Sequence, residues 1–224
     1  MRKLLGVLTM VLVTAPAWGG ELTLPALPDA SKMPAPADAA LGVRDGDAGL
    51  APGEAVPPFA AVTHEGKAVS RDSLFKQGKP ALVIFYRGGW CPYCNLQIRQ
   101  LTEAYPQFAE RNVELVLISA DKTDAAATAQ RRYDIPFPVI SDPTLAAHEA
   151  FRVVMALTPE LYETYKGYGI DVEAWSGQTH HKFALSSAFL VDAQGVVTWA
   201  HVSEDYKRRP SVAQLLSVID AARL

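Results

Sequence analysis

The chain has 224 residues, 49% of them hydrophobic, and a formal net charge of −3. That is enough apolar material for one packed domain with additional segments, so no disulfide framework is needed to hold it together. No Lys/Arg run of the kind that tracks phosphates is present, which excludes nucleic acid as an expected partner.

The N-terminus reads as an export signal over residues 1–19. Arg2 and Lys3 form a basic start, and Leu4 to Val13 is an apolar stretch too short to span a bilayer. Small residues follow at Ala15, Ala17, Gly19 and Gly20, and place cleavage after Gly19 or Ala17. Removal of residues 1–19 would move the formal net charge from −3 to −5. No later segment is apolar for long enough to cross a membrane, so no stable membrane insertion is expected after processing. The expected location is the periplasm. Residues 20–53, rich in Ala, Pro, Asp and Gly, read as a flexible arm with a short helix near Asp38–Val43. Residues 54–224 read as the folded domain.

Within that domain "FAAVTHEGKAVS" predicts a hairpin turning at Glu65-Gly66, and Ser70 caps a short helix "RDSLF". "ALVIFYR" (81–87) is a continuous apolar run, the mark of a buried strand. "NLQIRQLTEAY" has helical spacing, with Leu96, Leu101 and Tyr105 on one face and Ile98 near its edge; Pro106 is expected to end or kink it. "VELVLISA" (113–120) predicts a second buried strand, "DAAATAQRRY" a helix and "FPVIS" a short strand. "PTLAAHEAFRV" predicts a helix with Pro143 in its first turn. The segment 153–184 is an aromatic-rich insertion with two short helices, expected as a flap or side wall. "AFLVDAQGVVTWAHV" (188–202) is a hairpin turning at Ala193-Gln194-Gly195, and "PSVAQLLSVIDAARL" a closing amphipathic helix. This order predicts an α/β layer structure with a mixed central β-sheet flanked by helices.

The chemistry concentrates in "FYRGGWCPYCNLQIR", which holds the only two cysteines, Cys91 and Cys94. A Cys-x-x-Cys pair closes too small a loop to stabilise a fold by much, and suits a redox disulfide better. Pro92 fits the first position of a helix, which puts Cys91 at the helix N-terminus, where free N–H groups and the dipole favour a thiolate. Cys91 is therefore the expected nucleophile and Cys94, one turn in and more buried, the resolving thiol. Gly88 and Gly89 are expected to leave space for a substrate. Arg87 is read either as added positive charge or as a solvated strand end. Trp90, Pro92 and Tyr93 are expected on the substrate side, the two aromatics as surface residues. His148, His64 and His201 read as structural. His180 and His181 keep a metal alternative open, copper or zinc held by the cysteines and one histidine.

These segments resemble the thioredoxin-like superfamily, in its peroxiredoxin branch (the alkyl hydroperoxide reductase/thiol-specific antioxidant, or redoxin, family), over about residues 53–222. The resemblance rests on "GEAVPPFAAVTHEGKAVSRDSLFKQGKPALVIFYRG", "LVLISADKTDAAATAQRRYDIPFPVISDP", the final hairpin, "YRGGWCPYCNLQIRQL" and "DYKRRPS". It implies a thioredoxin fold with a peroxiredoxin-like N-terminal hairpin and an inserted segment before the last hairpin. It also implies thiol redox activity with no cofactor. Cys91 would be oxidised by a peroxide, Cys94 would condense with it, and an external dithiol reductant would reopen the bridge. A disulfide substrate on exported proteins is the second implied activity. The chain departs from the family in three places. Gly88 stands where a Thr or Ser is usual. Lys182 is the nearest cation to the usual arginine, with Arg87, Arg208 or Arg209 as substitutes. Ser186 or Ser187 occupies the place of the thioredoxin proline, which makes Ser186 an expected substrate-facing residue, with a trans peptide bond there.

Overall fold

The computed structural model describes residues 22–30, 42, 44–75 and 78–222. The export signal (1–19) and most of the short helix expected at Asp38–Val43 lie outside the described residues. β1 (Ala60–Thr63) and β2 (Ala68–Ser70) form the expected hairpin, and α1 (Arg71–Phe75) follows. The turn is closed by Thr63 Oγ1, which accepts the N–H groups of Glu65 and Lys67. Ser70 and Ser73 cap α1 reciprocally, each hydroxyl accepting the other's backbone N–H.

The remaining elements are β3 (Ala81–Phe85), α2 (Pro92–Glu110), β4 (Glu114–Ser119), α3 (Thr123–Tyr133), β5 (Val139–Ser141), α4 (Ala146–Ala150), β6 (Val154–Ala156), α5 (Pro159–Gly167), α6 (Val172–Ser176), β7 (Lys182–Ala184), β8 (Ser186–Val191), β9 (Val197–Ser203) and α7 (Val212–Ala222). Seven strands form one mixed sheet in the order β2-β1-β5-β4-β3-β8-β9. β3, β4 and β5 run parallel, joined by the crossover helices α2 and α3, while β8 and β9 are antiparallel. Both expected buried strands sit at the centre, which is why their apolar runs are continuous. Side chains alternate between two cores. Leu82, Ile84, Tyr86, Leu115 and Leu117 face the layer that contains both cysteines. Val83, Phe85, Val116 and Ile118 face a second core around Phe151 and Phe189.

Several expectations need correction. α2 does not end at Pro106 but runs through it to Glu110. One ladder hydrogen bond is lost there, and the last turn persists because it places Phe108 in the core with no exposure. Ile98 lies at the centre of the buried face, with Cys94, Leu101 and Phe108, not near its edge. Pro143 is in a turn before α4 rather than in its first turn. Leu145 takes a left-handed conformation (φ 66°), and Asp142 Oδ2 accepts the N–H groups of Ala147 and His148, so α4 starts only at Ala146.

The arm also differs from the expectation. Residues 44–53 run along β9, with Asp45 N–H donating to the Val202 carbonyl at 3.1 Å and Gly53 N–H to that of Val197 at 2.7 Å. Leu50, in this stretch, is buried in the second core. Leu22 and Leu24 pack against the cysteine-bearing core. The apolar side chains explain both contacts: water would otherwise cover them. The insertion contains two short helices as expected, and its ends pair as a separate two-stranded sheet, β6-β7. Among the described residues no helix is long and apolar enough to cross a membrane.

Candidate active site

The loop between β3 and α2 is pinned from three sides. Gly89 N–H donates to Asp121 Oδ2 at 2.8 Å, Asn95 Nδ2 donates to the Gly89 carbonyl at 2.7 Å, and Cys91 N–H donates to the Gly88 carbonyl at 3.0 Å. Cys91 is the N-cap of α2, with Pro92 at the first helical position. Its Sγ accepts the Cys94 N–H at 3.3 Å, the bond a serine oxygen would make at that position. The two cysteines are not joined by a disulfide. Cys94 is buried as expected, but so is Cys91, at 1% exposure.

Arg209, from the loop between β9 and α7, closes the inner side. Its Nη2 lies 3.0 Å from Cys94 Sγ and 2.7 Å from Ser186 Oγ, and its Nη1 donates to Gln97 Oε1 at 2.6 Å. Ser186 therefore anchors a guanidinium and does not face a substrate opening. No cis peptide bond occurs among the described residues.

Arg87 is not a solvated strand end. It is 6% exposed, and its guanidinium carbon lies 4.8 Å from the Trp90 ring centre, 5.0 Å from Phe183, 5.6 Å from Tyr165 and 4.5 Å from Tyr206. It also donates to the Tyr165 hydroxyl. An aromatic cage of this kind replaces part of the lost hydration of the cation. Trp90, expected at the surface, is 6% exposed and packs edge-on against Tyr165 and Phe183 of the insertion. The insertion's aromatics make that wall. Tyr93 is half-buried and packs edge-on against Tyr206.

The two glycines do not leave room for a substrate either. A Cβ on Gly88 would lie 2.3 Å from Trp90 Nε1 and 2.9 Å from Asp121 Oδ1, and one on Gly89 would lie 2.5 Å from the Trp175 ring. Their missing side chains admit indoles. Beside the loop is a cavity of about 10 Å³, lined in part by Arg87, Trp90, Asp121, Trp175 and Lys182. That is about the room one water needs. No cysteine lines this cavity, nor two larger surface clefts of about 280 and 420 Å³.

The electrostatics divide the pair. Burial pushes the Cys91 thiol well up, and its hydrogen bond to Cys94 and the charge there add to this, against the pull of Arg209 and Arg87. For Cys94 burial also acts upward. It is outweighed by the hydrogen bond from Cys91, the charges of Arg209 and Arg87 and the Arg87 backbone N–H, which together lower the thiol to about 6. Asp121 is raised to about 7 by burial, with the Gly89 N–H and Ser119 opposing. Asp121, Gln97, Tyr165 and Tyr206 were not among the expected site residues. A polar residue within the apolar stripe of α2 was the available signal for Gln97.

The structure does not bring His180 or His181 to the cysteines. His180 Nε2 lies 2.9 Å from the Pro143 carbonyl, and His181 Nε2 lies 2.6 Å from Glu173 Oε1 while its ring stacks on Tyr162. Among the described residues no group of three or more His, Cys, Asp or Glu could hold a metal ion. The copper alternative loses its proposed ligand set.

The sequence pattern of the AhpC/TSA family matches residues 52–200. The chain belongs to the AhpC/TSA family. Thiol-disulfide oxidoreductase ResA of Bacillus cereus is 33% identical over 91 residues, 40% of this chain and 51% of that protein. Chloroplastic peroxiredoxin Q of Sedum lineare is 36% identical over 90 residues, 40% of this chain and 47% of that protein. The chain spans about half the length of the curated relatives it matches. The crystal structure of peroxidoxin BcpB from Mycobacterium tuberculosis superposes with a TM-score of 0.59 at 17% identity, covering 77% of this chain and 96% of that one. This shared fold is the thioredoxin-like α/β sheet typical of AhpC/TSA proteins.

Proposed function

We propose that this AhpC/TSA protein is a thiol oxidoreductase that reduces peroxides through a Cys91/Cys94 disulfide. The observation that carries the choice of peroxide is the burial of the pair. Cys91 and Cys94 are at most 1% exposed, so a small peroxide can reach the sulfurs with far less displacement of the surrounding wall than a protein disulfide needs. Two buried cations act on the pair, Arg209 at 3.0 Å from Cys94 Sγ and Arg87 through its charge, and would supply the positive charge that the family's usual Arg provides. Cys91 sulfur attacks the peroxide oxygen, the O–O bond breaks, and the products are a sulfenic acid and an alcohol or water. Cys94 sulfur then displaces hydroxide from Cys91, which leaves as water after taking a proton, and an external dithiol returns both thiols by exchange.

Disulfide exchange with exported proteins is the second reading. The ResA relatives and the Cys-x-x-Cys spacing favour it. It requires the wall over Cys91 to open, since a protein disulfide cannot reach a side chain that is 1% exposed. We further propose that residues 1–19 are removed on export, that the mature chain works in the periplasm, and that residues 54–224 form the redox domain.

The deciding experiment is the oxidation rate of the reduced mature protein with hydrogen peroxide, followed by tryptophan fluorescence, with Cys91→Ser and Cys94→Ser alongside. A rate far above that of free cysteine, abolished by Cys91→Ser, supports the peroxidase. A rate equal to free cysteine removes it and leaves disulfide exchange. The N-terminal mass of exported protein tests the cleavage site.

A further inference from the structure

Arg209 is 7% exposed. Its hydrogen bonds go to the Tyr206 carbonyl (2.7 Å), Gln97 Oε1 (2.6 Å), Ser186 Oγ (2.7 Å) and Cys94 Sγ (3.0 Å). The first three partners are neutral, and among the described residues no carboxylate pairs with it. A buried guanidinium with neutral partners alone is costly, so it stabilises the one neighbour able to become an anion. That neighbour is Cys94. Cys91 has the helix N-terminus and a single 3.3 Å N–H contact, and among the described residues no cation lies within hydrogen-bond distance of its sulfur.

We infer that Arg209 holds Cys94, not Cys91, as the resident thiolate of the reduced pair. This rests on the redox reading of the pair and specifies its charge state. The helix N-terminus alone would put the charge on Cys91, as the spacing of the motif suggests. A full buried cation at 3.0 Å from Cys94 outweighs a half-charge spread over N–H groups. The titratable and charged groups facing Cys94 are Cys91 on its own helix, Arg209 from the β9–α7 loop, Arg87 and Tyr86 after β3, and Asp121 after β4.

The assignment gives Cys94 two tasks. As Cys91 sulfur attacks the peroxide, its thiol proton passes to the Cys94 thiolate and then to the departing alkoxide, which leaves as alcohol. The thiolate is thereby restored. It next attacks Cys91 sulfur, forming the S–S bond and releasing hydroxide, which the buffer acid in bulk solvent protonates to water. One peroxide gains two electrons, and two thiol sulfurs lose them.

The test is thiolate absorbance at 240 nm against pH, with the Cys91→Ser/Cys94→Ser double variant as baseline. Cys91→Ser is expected to keep about one thiolate per chain at pH 7, and Cys94→Ser to lose it. Arg209→Gln is expected to raise the Cys94 ionisation by at least about one pH unit, a tenfold change in its ionisation constant that takes the thiolate at pH 7 from about nine-tenths to about half or less. Arg209→Lys should lie between. A thiolate retained in Cys94→Ser and lost in Cys91→Ser overturns the inference, as does an Arg209→Gln titration identical to wild type. Because the two cysteine variants keep Arg209, they decide the question even where Arg209→Gln fails to fold. The titration needs no turnover, so a protein that ionises at Cys94 and reduces no peroxide would refute the proposed function alone.

Discussion

Asp121 Oδ2 accepts the Gly89 N–H at 2.8 Å, so a buried carboxyl at the end of β4 holds the loop that carries Cys91. Burial raises that carboxyl from 3.8 to about 7. The folded-state value exceeds the unfolded one, so the protonated form favours folding. This contribution is complete below about pH 4 and is lost as pH rises towards 7. Asp121→Asn keeps an acceptor for Gly89 and cannot ionise. Relative to this variant, wild type should lose stability between pH 4 and 7, by about 4 kcal/mol at most. Denaturant titrations of both proteins at several pH values measure it, and parallel curves would refute it.

The cage around Arg87 makes a second prediction. Arg87→Ala removes a cation from four rings and leaves a void between Trp90, Tyr165, Phe183 and Tyr206. We expect a loss of at least about 2 kcal/mol, with a change in tryptophan emission in the native state. Equilibrium unfolding checks the first and a fluorescence spectrum the second.

Gly88 has φ 148°, and its would-be Cβ overlaps the Trp90 indole and the Asp121 carboxyl. Gly88→Ala should destabilise by about 1–3 kcal/mol from the backbone conformation, with displacement of Trp90 in addition. An alanine variant as stable as wild type would show that this loop adopts another conformation in solution.

On the opposite face of the sheet His148 Nδ1 lies 2.6 Å from Asp142 Oδ2, and both side chains are fully buried. The same oxygen accepts two backbone N–H groups of α4. Asp142→Ala strands three polar hydrogens in the core and should cost about 3 kcal/mol or more. Thermal unfolding measures this, and a fast-exchanging α4 in native-state hydrogen exchange would locate the damage.

The central strands and α2 were legible in the sequence because one-dimensional patterns report them: unbroken apolar runs for β3 and β4, and a proline just after Cys91 for the helix start. The cysteine pair was legible for the same reason. What surrounds it was not. Arg209 is 115 positions from Cys94 in the chain, and nothing local to either tells which sulfur it will touch. The glycines suggest empty space, yet Trp90 and Trp175 fill it, and the second of these comes from an insertion whose packing no periodicity encodes. Pro106 and Pro143 mislead in opposite directions, because the burial of Phe108 and the capping by Asp142 override local preference.

The stretch 44–53, laid along β9, has a consequence for solubility. β9 is the outermost strand on its side of the sheet, and Asp45, Gly53 and Glu54 bond to its backbone at both ends. A shortened chain that begins after Gly53 would retain every residue of the redox site. It would also leave backbone donors and acceptors bare along that edge, open to pairing with the same edge of another copy. Such a fragment should self-associate as its concentration rises, so a domain boundary drawn around the chemistry alone would yield a protein prone to precipitate.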